Sequence, residues 1–117
     1  MAVTTVLASL TSNQSLAALN TFYKVSLGNK ITDTLSEFNT STYTFTAANS
    51  GYYLVMGCIT FSTGAAIEGD ATLAIYKNGS SYFQYQEHIG YGISTTQCSQ
   101  LISLNAGDTI SLYGIIW

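Results

Sequence analysis

The stretch Gly51-Tyr52-Tyr53-Leu54-Val55-Met56-Gly57-Cys58-Ile59-Thr60-Phe61 is apolar or aromatic almost throughout. A run this long, rich in aromatic and β-branched residues, reads as a central strand buried on both faces. Just before it, Tyr43-Thr44-Phe45-Thr46 alternates, with Tyr43 and Phe45 on one face and the two threonines on the other. Ala47-Ala48-Asn49-Ser50-Gly51 reads as the turn between them, because Asn49 and Gly51 tolerate positive φ. The two segments are therefore expected to form a β pair.

The same period of two continues in both directions. Ala71-Thr72-Leu73-Ala74-Ile75-Tyr76 alternates and runs into Lys77-Asn78-Gly79-Ser80. Asn-Gly between two β-like runs is a strong hairpin signal, since both residues accept the positive φ of a type I′ turn. Ser81 to Gln86 reads as the returning strand. Thr95 to Leu104 and Thr109 to Ile116 are two further strands, joined by the turn Asn105-Ala106-Gly107-Asp108. In the first third, Thr4–Leu10, Thr21–Leu27 and Thr40–Phe45 read as short strands, and Leu16-Ala17-Ala18-Leu19 as one helical turn at most. Short strands about 8–12 residues apart, with turn residues between, indicate an all-β sandwich or barrel.

With 117 residues the chain has room for one domain. Charged residues are 8% of it, about a third of the usual roughly 25%, while 47% is hydrophobic and 13% aromatic. Serine and threonine, roughly a quarter of the sequence, take the place of charge on the surface. Such a chain is too aromatic and too poor in charge to be disordered. It contains no arginine and only three lysines, which excludes the basic stripe that nucleic acid requires. No apolar run reaches the roughly 20 residues of a membrane span. The start Met1-Ala2-Val3-Thr4-Thr5 lacks the charged and apolar regions of a secretory signal, so a chain that works without export, or a processed form, is expected.

Four segments, in order, resemble the C1q/TNF-like jelly-roll superfamily and its short microbial and viral C1q-like domains. Lys24-Val25 with Asp33-Thr34 and Glu37-Phe38-Asn39 is similar to the family's stretch from a Lys-Val pair to an aromatic-Asn/Asp pair. Tyr43-Thr44-Phe45-Thr46-Ala47-Ala48-Asn49-Ser50-Gly51-Tyr52-Tyr53-Leu54-Val55 resembles its most specific signature, with Ala48 where the family has proline. Leu73-Ala74-Ile75-Tyr76-Lys77-Asn78-Gly79 resembles its Lys-Asn-Gly hairpin, and Leu101 to Ile110 its Gly-Asp turn. The match spans about Lys24 to Leu112. It implies a jelly-roll β-sandwich that forms a homotrimer and acts by binding or scaffolding, without catalysis and without a cofactor. Family members usually carry one more strand after the Gly-Asp turn. Its place is open to three readings: a sheet one strand short, a strand from a neighbouring chain, or the N-terminal segment.

The chemistry-bearing residues are few. His88 is the only histidine, and in a strand its neighbour Glu87 points to the opposite face, so a surface or interface role is expected rather than catalysis. No Gly-x-Ser-x-Gly elbow exists. Cys58 and Cys98 lack the spacing of a metal or redox site and read as two buried thiols, with a single disulfide as the alternative. Glu68-Gly69-Asp70 and the pair Asp33 and Glu37 offer oxygen ligands, but read better as solvated loops than as calcium sites. Gly90-Tyr91-Gly92 is a bend, not a phosphate cradle. Asp108 is expected to cap the Gly107 turn through its own side chain.

Three functions compete. The first is a virion structural protein: a trimeric decoration (cement) knob on a bacteriophage capsid, partnered by its own copies and a capsid protein. The second is the receptor- or glycan-binding tip of a phage fibre, with Tyr82, Tyr85 and Tyr91 as the candidate stacking residues. The third is a secreted, extracellular C1q-like binding module. For partner contact the candidates are the chain ends, Met1–Leu10 and Ile115–Trp117, above all Ile116 and Trp117.

Overall fold

The computed structural model describes residues 3–62, 69–89 and 92–117. Among them are ten strands and no helix: β1 (Val6–Ser9), β2 (Tyr23–Lys24), β3 (Asn29–Asp33), β4 (Phe38–Asn39), β5 (Thr44–Thr46), β6 (Gly51–Ser62), β7 (Gly69–Lys77), β8 (Ser80–Ile89), β9 (Ile93–Leu104) and β10 (Thr109–Ile116). The fold is all-β and sandwich-like, with every pair antiparallel. One layer is a six-stranded sheet ordered β4-β5-β10-β7-β8, with β2 also paired to β10. Facing it are two separate two-stranded ribbons, β6-β9 and β1-β3.

The core lies between these layers. Ile75 and Ile110 of the six-stranded sheet pack with Ile102 and Leu104 of β9, joined by Tyr53 and Val55 of β6. A second cluster joins Phe61 of β6 to Ala71, Ile89 and Ile116. The layers are tightly packed at Gly57, where an added Cβ would meet Leu112 Cδ1 at 2.9 Å. A side chain there would force Leu112 to shift or the layers to adjust.

Asn78-Gly79 forms the expected hairpin between β7 and β8, with φ of 54° and 81°. The other long connections do not. β5 pairs with β4 and β10, not with β6, so the expected pairing across Ala47–Gly51 is replaced by a crossing from one layer to the other. Neither Asn49 nor Gly51 takes positive φ. The crossing is instead held by Ala47, which donates to the Asp108 carbonyl at 2.9 Å and accepts from the Gly107 N–H at 2.8 Å. The Asn105–Asp108 turn also crosses layers, because β9 pairs with β6 and β10 with β7. Alternation identifies a strand, but the choice of partner depends on which layer its apolar row faces.

The N-terminal third holds two strands outside the expected segments, β3 and the two-residue β4. Asn29-Lys30-Ile31-Thr32-Asp33 carries one apolar residue, so its pattern is silent; pairing with β1 makes it a strand. Leu16–Leu19 forms no helix, and the chain turns there with Asn20 at φ 59°. β1 does not complete the β6-β9 ribbon. It pairs with β3, and a slot remains between β1 and β6.

Candidate functional site

The strand on which the sequence reading turned is not buried on both faces. β6 runs antiparallel to β9 in continuous register from Gly51↔Leu104 to Ser62↔Ile93. Tyr53, Val55, Ile59 and Phe61 face the core. The alternate row, from Tyr52 to Ser62 on β6 and from Ile93 to Ser103 on β9, is exposed at every position and contains no charged residue. Tyr52 is 78% exposed, Leu54 65%, Met56 73%, Ile93 74% and Leu101 62%. Leu54 and Leu101 lie directly opposite each other. Five large apolar side chains therefore stand in water among Ser, Thr and Gln, on a ribbon of only two strands. Leu7 and Ile31, on the neighbouring β1-β3 ribbon, are also more than half exposed.

The two cysteines confirm the facing of this ribbon. Cys58 lies in the exposed row, while Cys98 faces the core and its thiol is pushed up by burial. They sit diagonally across the pair, Cys58 opposite Gln97 and Cys98 opposite Gly57, and both are free. Of the two thiols expected to be buried, Cys58 is exposed and Cys98 is only partly buried against the core.

Of the candidate stacking tyrosines, Tyr82 and Tyr85 are exposed residues of β8. Tyr82 is the residue left unpaired by a bulge in β8, and its ring lies 5.5 Å from the Lys77 ammonium. Tyr85 sits opposite Leu73, in the row of Phe83 and Ile89. Tyr91 lies outside the described residues, as do Gly90, Glu68 and Met1.

At the C-terminus, Ile116 is buried in the core beside Phe61, Ala71 and Ile89. Trp117 is half-packed: its indole N–H donates to Thr72 Oγ1 at 2.9 Å, and its ring meets Phe22 edge-on at 6.0 Å. Phe22 also packs on Tyr76, which stacks on Tyr113 at 3.7 Å, and burial raises the Tyr76 phenol above its usual range. Part of the aromatic surplus is thus spent on the outer face of the six-stranded sheet.

The acidic residues are structural ligands of their own backbone. Asp33 accepts from the Glu37 and Phe38 N–H groups, each at 2.9 Å, with the Lys30 ammonium 3.4 Å away. Burial alone would raise its carboxyl, but these donors outweigh burial and hold it below the ordinary carboxylate value. Glu37 accepts from Thr4 and from the Ala48 N–H. Neither belongs to a solvated loop. Asp70 is a strand residue rather than a loop ligand, and its carboxylate accepts from Gln86 and lies 3.0 Å from His88 Nδ1. Glu87 faces the other way, toward Thr96, as strand alternation predicts. Asp108 caps its turn by accepting from the Asn105 N–H at 2.8 Å, which lowers its carboxyl pKa.

Among the described residues, no three His, Cys, Asp or Glu side chains come together as a metal ion would require, and no helix is long and apolar enough to cross a membrane. No protein-family model matches the chain, and no curated protein matches it.

Proposed function

We propose that this protein is a non-enzymatic assembly domain of the C1q-like jelly-roll type, a homotrimer that serves as a decoration (cement) knob on a bacteriophage capsid. The observation that carries this reading is the exposed row of the β6-β9 ribbon, uncharged along its length and apolar at Tyr52, Leu54, Met56 and Leu101 toward one end and at Ile93 at the other. Such a face is unfavourable in water and favourable between subunits, since no charge must be stripped of solvent when it is covered. Burying a leucine of this kind contributes about 1.5–3 kcal/mol, and each copy offers several comparable groups. Chain topology supports the jelly-roll form: strands pass from layer to layer at Ala47–Gly51 and again at Asn105–Asp108. A threefold assembly suits the threefold positions of an icosahedral shell, an argument from fold analogy.

The test has two arms. Light scattering at micromolar concentration should give the mass of three chains, and Leu101→Lys should give one chain with an unchanged circular dichroism spectrum. The protein should also be found on purified particles. A parent that is monomeric at that concentration, and absent from particles, ends this reading.

A further inference from the structure

We infer that the slot between β1 and β6 is an acceptor site for one extended, uncharged β-strand supplied by another polypeptide. β1 and β6 border the same groove of about 670 Å³, yet they do not pair with each other. Six residues line each side, Val3 to Ala8 and Gly51 to Met56. The floor is apolar, built from Phe45, Ile75, Ile110 and Leu112.

Both rims are open sheet edges. Thr5 spends its backbone on the far side, donating to Thr34 Oγ1 at 2.9 Å and accepting from the Thr34 N–H at 3.1 Å. Antiparallel alternation then turns the N–H and C=O of Val6 toward the slot. On the opposite rim, alternate residues of Tyr52–Met56 likewise direct their backbone groups away from β9 and into the slot. Two unpaired edges facing each other across an apolar floor are satisfied together by one inserted strand. A lipid or small apolar molecule would fill the floor and leave both rows of backbone groups unpaired.

Charge and connectivity narrow the occupant further. No residue lining the slot is charged, so a charged strand would lose its hydration without finding a partner. Among the described residues no segment of this chain is available to turn in. Every strand is already paired, and the connection from Leu10 to Phe22 is held by Gln14, which bonds the Lys24 carbonyl and the Ser26 N–H, and by the Asn20 N–H on the Ile116 carbonyl. Among the described residues, a second copy would likewise have to surrender a paired strand. The occupant is therefore a separate extended segment, with apolar side chains at alternate positions facing the floor. Tyr52, Leu54 and Met56 border both the slot and the outer face of β6-β9, whereas Leu101 and Ile93 belong to the outer face and do not line the slot.

The test uses a fluorescent capped peptide, Ser-Val-Thr-Ile-Thr-Val-Ser, and an isomer of the same composition with its apolar residues in one block. Fluorescence anisotropy should show the alternating peptide binding at least about tenfold more tightly than the isomer. Val6→Trp, whose indole occupies the slot, should weaken it by a similar factor while leaving the thermal melt intact. In the parent, hydrogen exchange at Val6 and at alternate amides of Tyr52–Met56 should be fast, and slow once the peptide is present. Equal binding of the two peptides overturns the proposal, as does undiminished binding to Val6→Trp. Protection of these amides in the peptide-free protein, rising with its own concentration, shows a second copy as occupant and also overturns it. The oligomer mass of Leu101→Lys reports on the outer face alone, which separates the two failures.

Discussion

Gly57→Ala tests the packing of the two layers at Gly57. An alanine Cβ at this position would lie 2.9 Å from Leu112 Cδ1 and 3.5 Å from Leu73 Cδ2. Leu73 is fully buried and has no room to retreat, whereas Leu112 is only partly buried. The φ of Gly57 is not positive, so the substitution brings no backbone strain. Two effects then oppose each other. Alanine restricts the unfolded chain and stabilises by about 0.4–1 kcal/mol, while overpacking costs about 1–3 kcal/mol. The net expectation is a loss of about 0.5–2 kcal/mol, or a Tm lower by about 2–8 °C at about 4 °C per kcal/mol for a chain of this size. Gly51→Ala, on the same strand with nothing within 4 Å of its Cβ, is the control and should gain stability. Leu112→Ala removes the clashing methyl, so the double variant should be more stable than the sum of the single effects by about 1 kcal/mol. Urea unfolding of the four proteins gives the cycle. If Gly57→Ala is as stable as Gly51→Ala, or adds to Leu112→Ala without coupling, the layers are not packed as described.

Asp33→Asn should cost about 2 kcal/mol at pH 7, because the amide cannot accept from both backbone donors as the carboxylate does. Since the native carboxyl titrates below its ordinary value of 3.8, its contribution is complete above that value and lost as pH falls through the lower native one. The gap between parent and variant should therefore narrow on acidification below about pH 4, as read by urea midpoints at pH 7 and pH 3; a gap that widens contradicts the assignment. Gly79→Val, at φ 81° in the β7-β8 turn, should destabilise by about 1–3 kcal/mol, whereas the same change at Gly51 should not; equal effects in thermal melts would refute the turn assignment. With a thiol reagent at pH 8, Cys58 should react quickly and Cys98 only on unfolding, as mass spectrometry of quenched samples would show. The reverse order would mean that β6 and β9 are each flipped by a one-residue slip.

Local signals were read well where the chemistry is local. Asn78-Gly79 makes its hairpin and Asp108 caps its own turn, because each depends on residues a few positions apart. The strand limits of β10 match the alternation of Thr109–Ile116. β3 went unread because one apolar residue in five leaves no periodicity to detect. The candidate site was misjudged for a different reason. Its residues read correctly as a strand, but their continuous hydrophobicity points to burial on both sides, which only one side shows. Tyr52, Leu54 and Met56 are apolar at exposed positions, and hydrophobicity does not distinguish a face covered by its own chain from one awaiting another.

By itself, then, the amino-acid sequence determined the class: an all-β, weakly charged single chain, with its strands marked by alternation and its turns by Asn, Gly and Asp. Those properties follow from backbone sterics and short-range hydrogen bonds. Only the tertiary structure decided which strands pair, which row of the β6-β9 ribbon stays in water, and that β1 and β6 flank a slot instead of joining. Pairing depends on how apolar rows from distant segments fit together. Ile75 meets Ile102, and Leu112 packs over Gly57, because close packing selects among partners that the period of two leaves equivalent.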